Sequence, residues 1–356
     1  MMRTPRPLRA AEPLYPGNER TMLVLKQPYL LYLGDATLKS DCKTAFGLRD
    51  WCREAVLAEW SHPAGTVTLD LPRLAPAEAV ARGAGSLVVG VAPTGGALPE
   101  HWIADLEAAL DAGLDVVSGM HTRLTGFPPL VRAAERSGRR LLDVRHTGGS
   151  YPVATGRKRS GRRVLTVGTD CALGKKYTAL AITRALKARG VAASFRATGQ
   201  TGIMIAGEGV PMDATVSDFL AGAAEQLSPD NAPGHWDVIE GQGSLLHPAY
   251  AAVTLGLLHG SQPDAIVLCH DPERTTIEEY PDFPIPPLAE VIDLYLRTGR
   301  LTNRAIRCVG LSINSSALEE AAWVTYRSRI EKELGLPVCD PIRSGVEPLL
   351  DALLAP

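Results

Sequence analysis

The residues with most chemical potential sit in one stretch, GTDCALGKK, from Gly168 to Lys176. An apolar run, RVLTV, leads in, and a strong helix former, KKYTALAITRALKARG, leads out and stops at Gly190. Glycines let a backbone fold around an anion, and a following helix aims its free N–H groups at it. Lys175 adds a full positive charge. The spacing is GxxxxxGK, one residue longer than the common phosphate loop. In ATP users a Ser or Thr after the Lys holds Mg²⁺ through its hydroxyl. Here that position is Lys176, which cannot ligate a cation. Thr178 lies two residues further on and is expected to point elsewhere on the helix. The loop therefore reads as an anion cradle, Gly168, Thr169, Asp170, Cys171, Ala172, Leu173, Gly174, Lys175, Lys176 and Tyr177, in which a second lysine replaces metal as counter-charge for a pyrophosphate.

Such a loop must be carried by a parallel sheet, and the chain is built to supply one. Apolar runs rich in Val, Leu and Ile alternate with helix-like segments, as for strands buried on both faces. In the first half the runs are LLYLGD, TVTLDL, SLVVGVAP, LDVVSG and LLDVR, with a helical segment at PEHWIADLEAALDAGL. In the second half they are RVLTVGTD, AASFRATG, WDVIEGQG, AIVLCHD, CVGLSINSS and LPVCDPI, followed by a short helix. The reading is an α/β chain with two parallel-sheet domains. Residues 1–21, basic and proline-rich, are taken as a flexible extension, 22–154 as the first domain, 155–163 (TGRKRSGRR) as a solvated basic linker, and 164–356 as the second. The stretch YPDFPIPPLAE (Tyr280–Glu290) reads as a rigid, lid-type loop. The first domain has no GxGxxG after its first strand, so no dinucleotide site is indicated.

Bulk composition removes several function classes. The chain has 356 residues, 45% hydrophobic and 21% charged, with a net charge of -2. That balance gives no general pull toward nucleic acid or membrane surface. Aromatic residues are 5%, too few for a base-stacking surface. No apolar run reaches the length of a membrane span. The six cysteines have neither CxxC nor zinc-site spacing, and read as reduced thiols of a cytoplasmic protein.

Three further stretches extend the reading by resemblance. The loop is similar to the GTD…GK loop of dethiobiotin synthetase and its relatives. FRATGQTG (Phe195–Gly202) stands where that family has its second-strand substrate loop, VIEGQGSLLHP (Val238–Pro248) resembles its Glu-Gly-x-Gly turn near the metal, and VGLSINS (Val309–Ser315) resembles the strand whose Asn faces the base. This implies a P-loop NTPase-like, dethiobiotin synthetase-like second domain, Asn314 at the cofactor, and Thr198, Gly199, Gln200 and Gln242 at the substrate. KQPYLLYLGDATLKSDCKTAFGLRDW (Lys26–Trp51) and GALPEHWIADLEAALDAGLDVVSGMHTRL (Gly96–Leu124), with the loop, resemble one family over nearly all of residues 22–356. It was long classed as a domain of unknown function and includes the D-glutamate N-acetyltransferases. That resemblance implies a Rossmann-like first domain and an acetyl-CoA donor. Two lysines without a metal hydroxyl suit the phosphates of coenzyme A.

Acetyl transfer to an amine needs a base, oxyanion donors and aligned reactants. The base candidates are Glu240, Asp213, His270 and His247, with Asp170 read as an orienting or metal-linked residue. Arg196 and Arg274 follow strands and offer forks for a dicarboxylate substrate. GVAPTGG (Gly90–Gly96), His121 and Arg145 are positioned to complete an acceptor pocket between the domains. Cys171 could carry acetyl, but fits better as a small loop residue. The leading expectation is N-acetylation of a small amino acid, best D-glutamate, by a homo-oligomer that binds neither nucleic acid nor membrane. The alternatives are an ATP/Mg²⁺-dependent ligase or kinase acting on a carboxylate, and a non-catalytic nucleotide or CoA sensor.

Overall fold

The computed structural model describes residues 23–91, 97–120, 122–146 and 151–355. The expected extension at 1–21, most of Gly90–Gly96 and His121 lie outside the described residues. The first domain contains β1 (Leu23–Val24), β2 (Tyr29–Tyr32), β3 (Val56–Trp60), β4 (Ser86–Val89), β5 (Asp115–Ser118) and β6 (Leu141–Asp143). Its helices are α1 (Lys43–Trp51), α2 (Pro76–Ala81), α3 (Ile103–Ala112) and α4 (Pro128–Ser137). Strands β2 to β6 form one parallel sheet in the order β3-β2-β4-β5-β6. All four residues of β2, β4 and β5 are buried, as the unbroken apolar runs require.

One expected strand is displaced. TVTLDL forms no strand; the edge strand is the preceding VLAEW, β3. The cause is Glu59, a fully buried carboxylate inside β3. It needs partners, and Thr68 Oγ1 (2.7 Å), the N–H of Leu69 (2.6 Å) and Arg73 Nε (3.2 Å) supply them. The segment is committed to wrapping a charge and cannot also pair as a strand.

The second domain contains β7 (Arg162–Gly168), α5 (Lys175–Ala188), β8 (Ala193–Arg196), α6 (Gln200–Ala206), β9 (Glu208–Gly209), α7 (Leu220–Leu227) and β10 (Trp236–Ile239). It continues with α8 (Ala251–Ser261), β11 (Ala265–His270), β12 (Thr276–Ile277), β13 (Tyr280–Pro284), α9 (Leu288–Gly299), β14 (Arg307–Ile313), α10 (Glu320–Leu334), β15 (Val338–Cys339) and α11 (Glu347–Leu354). Its six-stranded sheet is parallel, in the order β15-β14-β11-β7-β10-β8. The phosphate-loop strand β7 is therefore central, between β11 and β10.

Two segments differ from their sequence reading. Tyr280–Pro284 is not a loop; it pairs antiparallel with Thr276–Ile277 as a small hairpin, where an edge strand tolerates its prolines. Nor is TGRKRSGRR a solvated tether. Arg163 is fully buried in β7, and Arg159 is buried beneath α7 and α8. The Arg159 guanidinium donates to Ser228 O (2.7 Å), Gly260 O (2.7 Å) and Ser261 O (3.2 Å), carbonyls left free where the two helices end.

The domains share a core. Leu180 of α5, and Ala197, Ile203, Met204 and Ile205 around α6, pack into the same buried cluster as the first sheet. Strand β1 pairs antiparallel with β9, so a piece of the first domain is stitched to the second. Among the described residues, no helix is long and apolar enough to cross a membrane. All six cysteines are free thiols.

Candidate functional site

The carboxyl ends of β7, β8 and β10 converge on a cavity of about 330 Å³. Its walls are the loop 171–177, residues 199–201, Asp213, the turn 240–243 and Arg145 from the first domain. An open parallel sheet presents its ligand crevice at this edge.

The loop turns tightly before entering α5. Ala172 (φ 55°) and Gly174 (φ 91°) are both left-handed, which brings successive backbone N–H groups round toward one concavity. The first turn of α5 has no earlier helical carbonyl for its N–H groups, so they remain available to an anion. Lys175 Nζ is buried and donates to Asp170 O at 2.6 Å. Burial pushes its ammonium below the usual lysine range. Behind the loop, Tyr295 donates to Gly168 O (2.8 Å) and accepts from Leu245 N–H (3.1 Å), tying the loop to α9 and to the turn after β10.

Thr178 is turned away from the cavity. Its hydroxyl bonds Gly174 O (3.1 Å) and Ser312 Oγ (2.7 Å) in the sheet-side interior. With Lys at position 176, the hydroxyl that a magnesium nucleotide requires is missing from the loop.

Glu240 stands at the end of β10 and is buried. Its Oε2 accepts the N–H groups of Thr198 (2.9 Å) and Gly199 (3.1 Å). Burial pushes its carboxyl pKa up, opposed by these two N–H groups and by the charge of Lys176. Gly202 makes the room: a Cβ there would lie 2.1 Å from Glu240 Oε2. Gly241 is equally constrained, since its Cβ would fall 1.7 Å from the Thr166 carbonyl oxygen. Thr198 links both sides, donating to Glu240 O (2.8 Å) and accepting from Gln242 Nε2 (3.0 Å).

Asp170, Cys171 and His247 place their ligating atoms within 4.8 Å of one another. Their hydrogen bonds do not suit a cation. Asp170 Oδ2 takes Arg274 Nη1 (3.0 Å) and the N–H of Glu278 (2.8 Å), and Oδ1 takes the N–H of Cys171 (2.6 Å). His247 Nδ1 accepts from Ala249 N–H (3.1 Å) and Tyr250 N–H (3.3 Å), which leaves the ring proton on Nε2, facing Asp170. Burial pushes the Cys171 thiol pKa up, against the pull of Lys175.

The structure gathers some of the residues singled out from sequence and separates others. Residues 171–177, Gly199, Gln200, Gln242, Asp213 and Glu240 line the cavity. Gly168, Thr169, Asp170 and Thr198 stand behind it as supports. Arg196 lies outside, held by the buried carboxylate of Asp237 at 2.7 Å. Arg274 is also outside and is spent on Asp170 and Glu278. His270 shares a hydrogen bond with Thr169 Oγ1 (2.9 Å), and burial lowers its pKa to about 4. Asn314 donates to Asp271 Oδ2 at 3.0 Å.

The guanidinium that reaches the cavity is Arg145, held by Gly119 O (2.8 Å), Gln200 Oε1 (3.3 Å) and Asp213 Oδ2 (3.3 Å). Trp51 was not singled out, although it ends one of the signature stretches. It stacks on Tyr177 with centroids 5.5 Å apart and planes at 25°. Trp51 itself carries no local motif that would have marked it.

Comparison with known families decides the kinship. A Rossmann-like domain model, the N-terminal domain of unknown function DUF1611_N, matches residues 60–147, and its P-loop partner DUF1611_C matches 152–350. The chain belongs to the DUF1611 family. A crystal structure of a DUF1611 protein from Anabaena variabilis is 37% identical, with a TM-score of 0.79, covering 92% of this chain and 99% of that one. A D-glutamate N-acetyltransferase from Tritonibacter scottomollicae is 47% identical, covering 93% of this chain and 100% of its own length. Another of that name, from a Pseudoalteromonas species, is 43% identical over 92% of this chain and 98% of its own. The DUF1611 pairing of a Rossmann-like with a P-loop domain corresponds to the two parallel sheets that meet at the cavity.

Proposed function

We propose that this protein is a D-glutamate N-acetyltransferase and that its acetyl donor is acetyl-CoA. The observation that carries the reading is likeness over essentially the full length of two proteins of that name, both domains included. The chemistry of the cavity supports it. A lysine-rich anion cradle faces a buried carboxylate, and a guanidinium enters from the opposite domain.

The division of labour follows from the residues. The loop amides with Lys175 and Lys176 bind the donor's phosphates, and Arg145 binds a carboxylate of the acceptor. The amino nitrogen attacks the thioester carbonyl carbon. The C–N bond forms, the C–S bond breaks, and coenzyme A leaves as its thiol. Glu240 accepts the proton that the nitrogen gives up and returns it to the departing sulfur. A carboxyl whose pKa is raised by burial is a stronger base than an exposed one, which is why Glu240 suits this role better than the half-exposed Asp213.

The test is to incubate the purified protein with acetyl-CoA and a panel of D- and L-amino acids, following N-acetyl product by mass spectrometry and free thiol by absorbance. Equal amounts of N-acetyl-D-glutamate and thiol are expected, with both lost in Lys175→Ala. Thiol release without N-acetyl product, or acetylation of other amino acids only, overturns the reading.

A further inference from the structure

The P-loop fold implies a divalent metal, and this site does not fit one. Position 176 offers no hydroxyl, and Thr178 is committed to Ser312. Of the two carboxylates that line the cavity, Glu240 has Oε2 closed by two backbone N–H groups, with no space for even a methyl group beside it at Gly202, and Asp213 Oδ2 is paired with Arg145. A Mg²⁺ ion needs near-octahedral oxygen ligation and keeps several of its waters. In its place the structure holds the ammonium of Lys176, part-buried among the cavity walls, with Glu240 the acidic group acting on it.

That ammonium is held in a ladder. Lys176 Nζ lies 4.6 Å over the centre of the Tyr177 ring. Tyr177 is stacked on Trp51, which belongs to α1 of the first domain. The Trp51 ring also carries Arg184, with Cζ 4.9 Å from the ring centre. A cation over an aromatic face is attracted by the ring quadrupole, and more strongly where water is thinned. Tyr177 would otherwise rotate with its own side-chain torsions; Trp51 removes that freedom.

We propose that Lys176 is the resident counter-ion of this site, held across the domain boundary by Tyr177 and Trp51, so that phosphate groups bind here without a divalent metal. Lys176 contacts the ligand's phosphates; Tyr177 and Trp51 are positioning residues that act through it. This rests on the phosphate-binding part of the reading above, not on the acceptor.

The experiment is calorimetric binding of inorganic pyrophosphate and, separately, coenzyme A, each in EDTA and in excess Mg²⁺. Wild-type affinity for both is expected to be the same in the two buffers. Lys176→Met should weaken pyrophosphate binding in EDTA roughly 10- to 100-fold, the range for a lost charge-assisted contact. Lys176→Arg should keep most of it, and Lys176→Thr should recover affinity only when Mg²⁺ is added. Trp51→Ala should weaken binding several-fold while Trp51→Phe restores it, although Trp51 itself does not line the cavity. Circular dichroism and thermal melting confirm that each variant is folded. Should a Lys176 variant fail to fold, wild-type binding in EDTA against Mg²⁺ still decides. Metal-dependent pyrophosphate binding by wild type, no pyrophosphate binding in either buffer, or undiminished binding by Lys176→Met overturns the proposal. Metal-free pyrophosphate binding without coenzyme A binding leaves it standing and removes acetyl-CoA as the donor instead.

Discussion

Arg145 of the first domain and Asp213 of the second meet at 3.3 Å on the rim of the cavity. Asp213 is 41% exposed, so the pair itself contributes little stability. Its value is positional: Asp213, Gln200 and Gly119 fix a guanidinium that the second domain does not supply. If Arg145 receives a substrate carboxylate, Arg145→Ala should raise KM for D-glutamate roughly 10- to 100-fold and leave KM for the donor nearly unchanged. Arg145→Lys should recover only part, because an ammonium lacks the planar fork. Steady-state kinetics with each substrate varied in turn check this. An equal rise in both constants would mean that the domains have shifted instead.

Glu240 carries two expectations with different readouts. Glu240→Gln should lower kcat roughly 100- to 10,000-fold, the usual worth of general-base catalysis. In wild type the rate should fall as pH drops through the Glu240 pKa, which burial holds above the ordinary carboxylate range. Stability runs the other way. A carboxyl whose pKa is raised on folding favours the fold when protonated, and that contribution is lost as pH rises through the folded pKa. Glu240→Gln should therefore melt higher than wild type at neutral pH, with the gap closing in acid. Gly202→Ala, which crowds Glu240 Oε2, should reduce kcat in a protein that still folds. Activity profiles and melting curves against pH test these points; a kcat for Glu240→Gln near wild type removes Glu240 as the base.

His270 predicts acid lability. Burial lowers its pKa from 6.5 to about 4, so folding favours the neutral ring. The resulting stability is complete above 6.5 and is lost as pH falls toward 4. The drop corresponds to on the order of 3 kcal/mol. His270→Gln keeps a partner for Thr169 without titrating, and should flatten the dependence of the urea midpoint on pH between these limits. An unchanged slope would assign the acid loss to other groups.

Arg159 makes the most specific stability prediction. Three backbone carbonyls at the ends of α7 and α8 converge on its guanidinium. Arg159→Ala leaves Ser228 O with only its longer bond from Arg163 Nη2 (3.3 Å), takes this partner from Gly260 O and Ser261 O in a buried place, and should cost about 3–5 kcal/mol, the range for breaking buried charged networks. Arg157 in the same stretch is largely exposed and paired with Asp230, so Arg157→Ala should leave stability nearly unchanged. Urea denaturation of the two variants side by side distinguishes an anchor from a tether.

The sequence by itself determined the alternation of apolar runs and helices, the parallel sheets, the anion loop after β7 and the anomaly of Lys176. These are local properties: a buried strand, a helix start and a glycine turn each leave their mark within a few residues. It also placed the Thr178 hydroxyl away from the loop, because two residues along a helix is a different face. Only the tertiary structure decided which charges are free. Arg196 and Arg274 look in sequence like forks waiting for a substrate. In the fold they are taken by Asp237, 41 residues away, and Asp170, 104 residues away. Arg145, marked in sequence only by following an apolar run, reaches the cavity, and Trp51, with no local signal, reaches Tyr177, because the first sheet packs against α5 and α6. Charge pairing and stacking depend on which surfaces the topology brings into contact, and periodicity along the chain does not encode that.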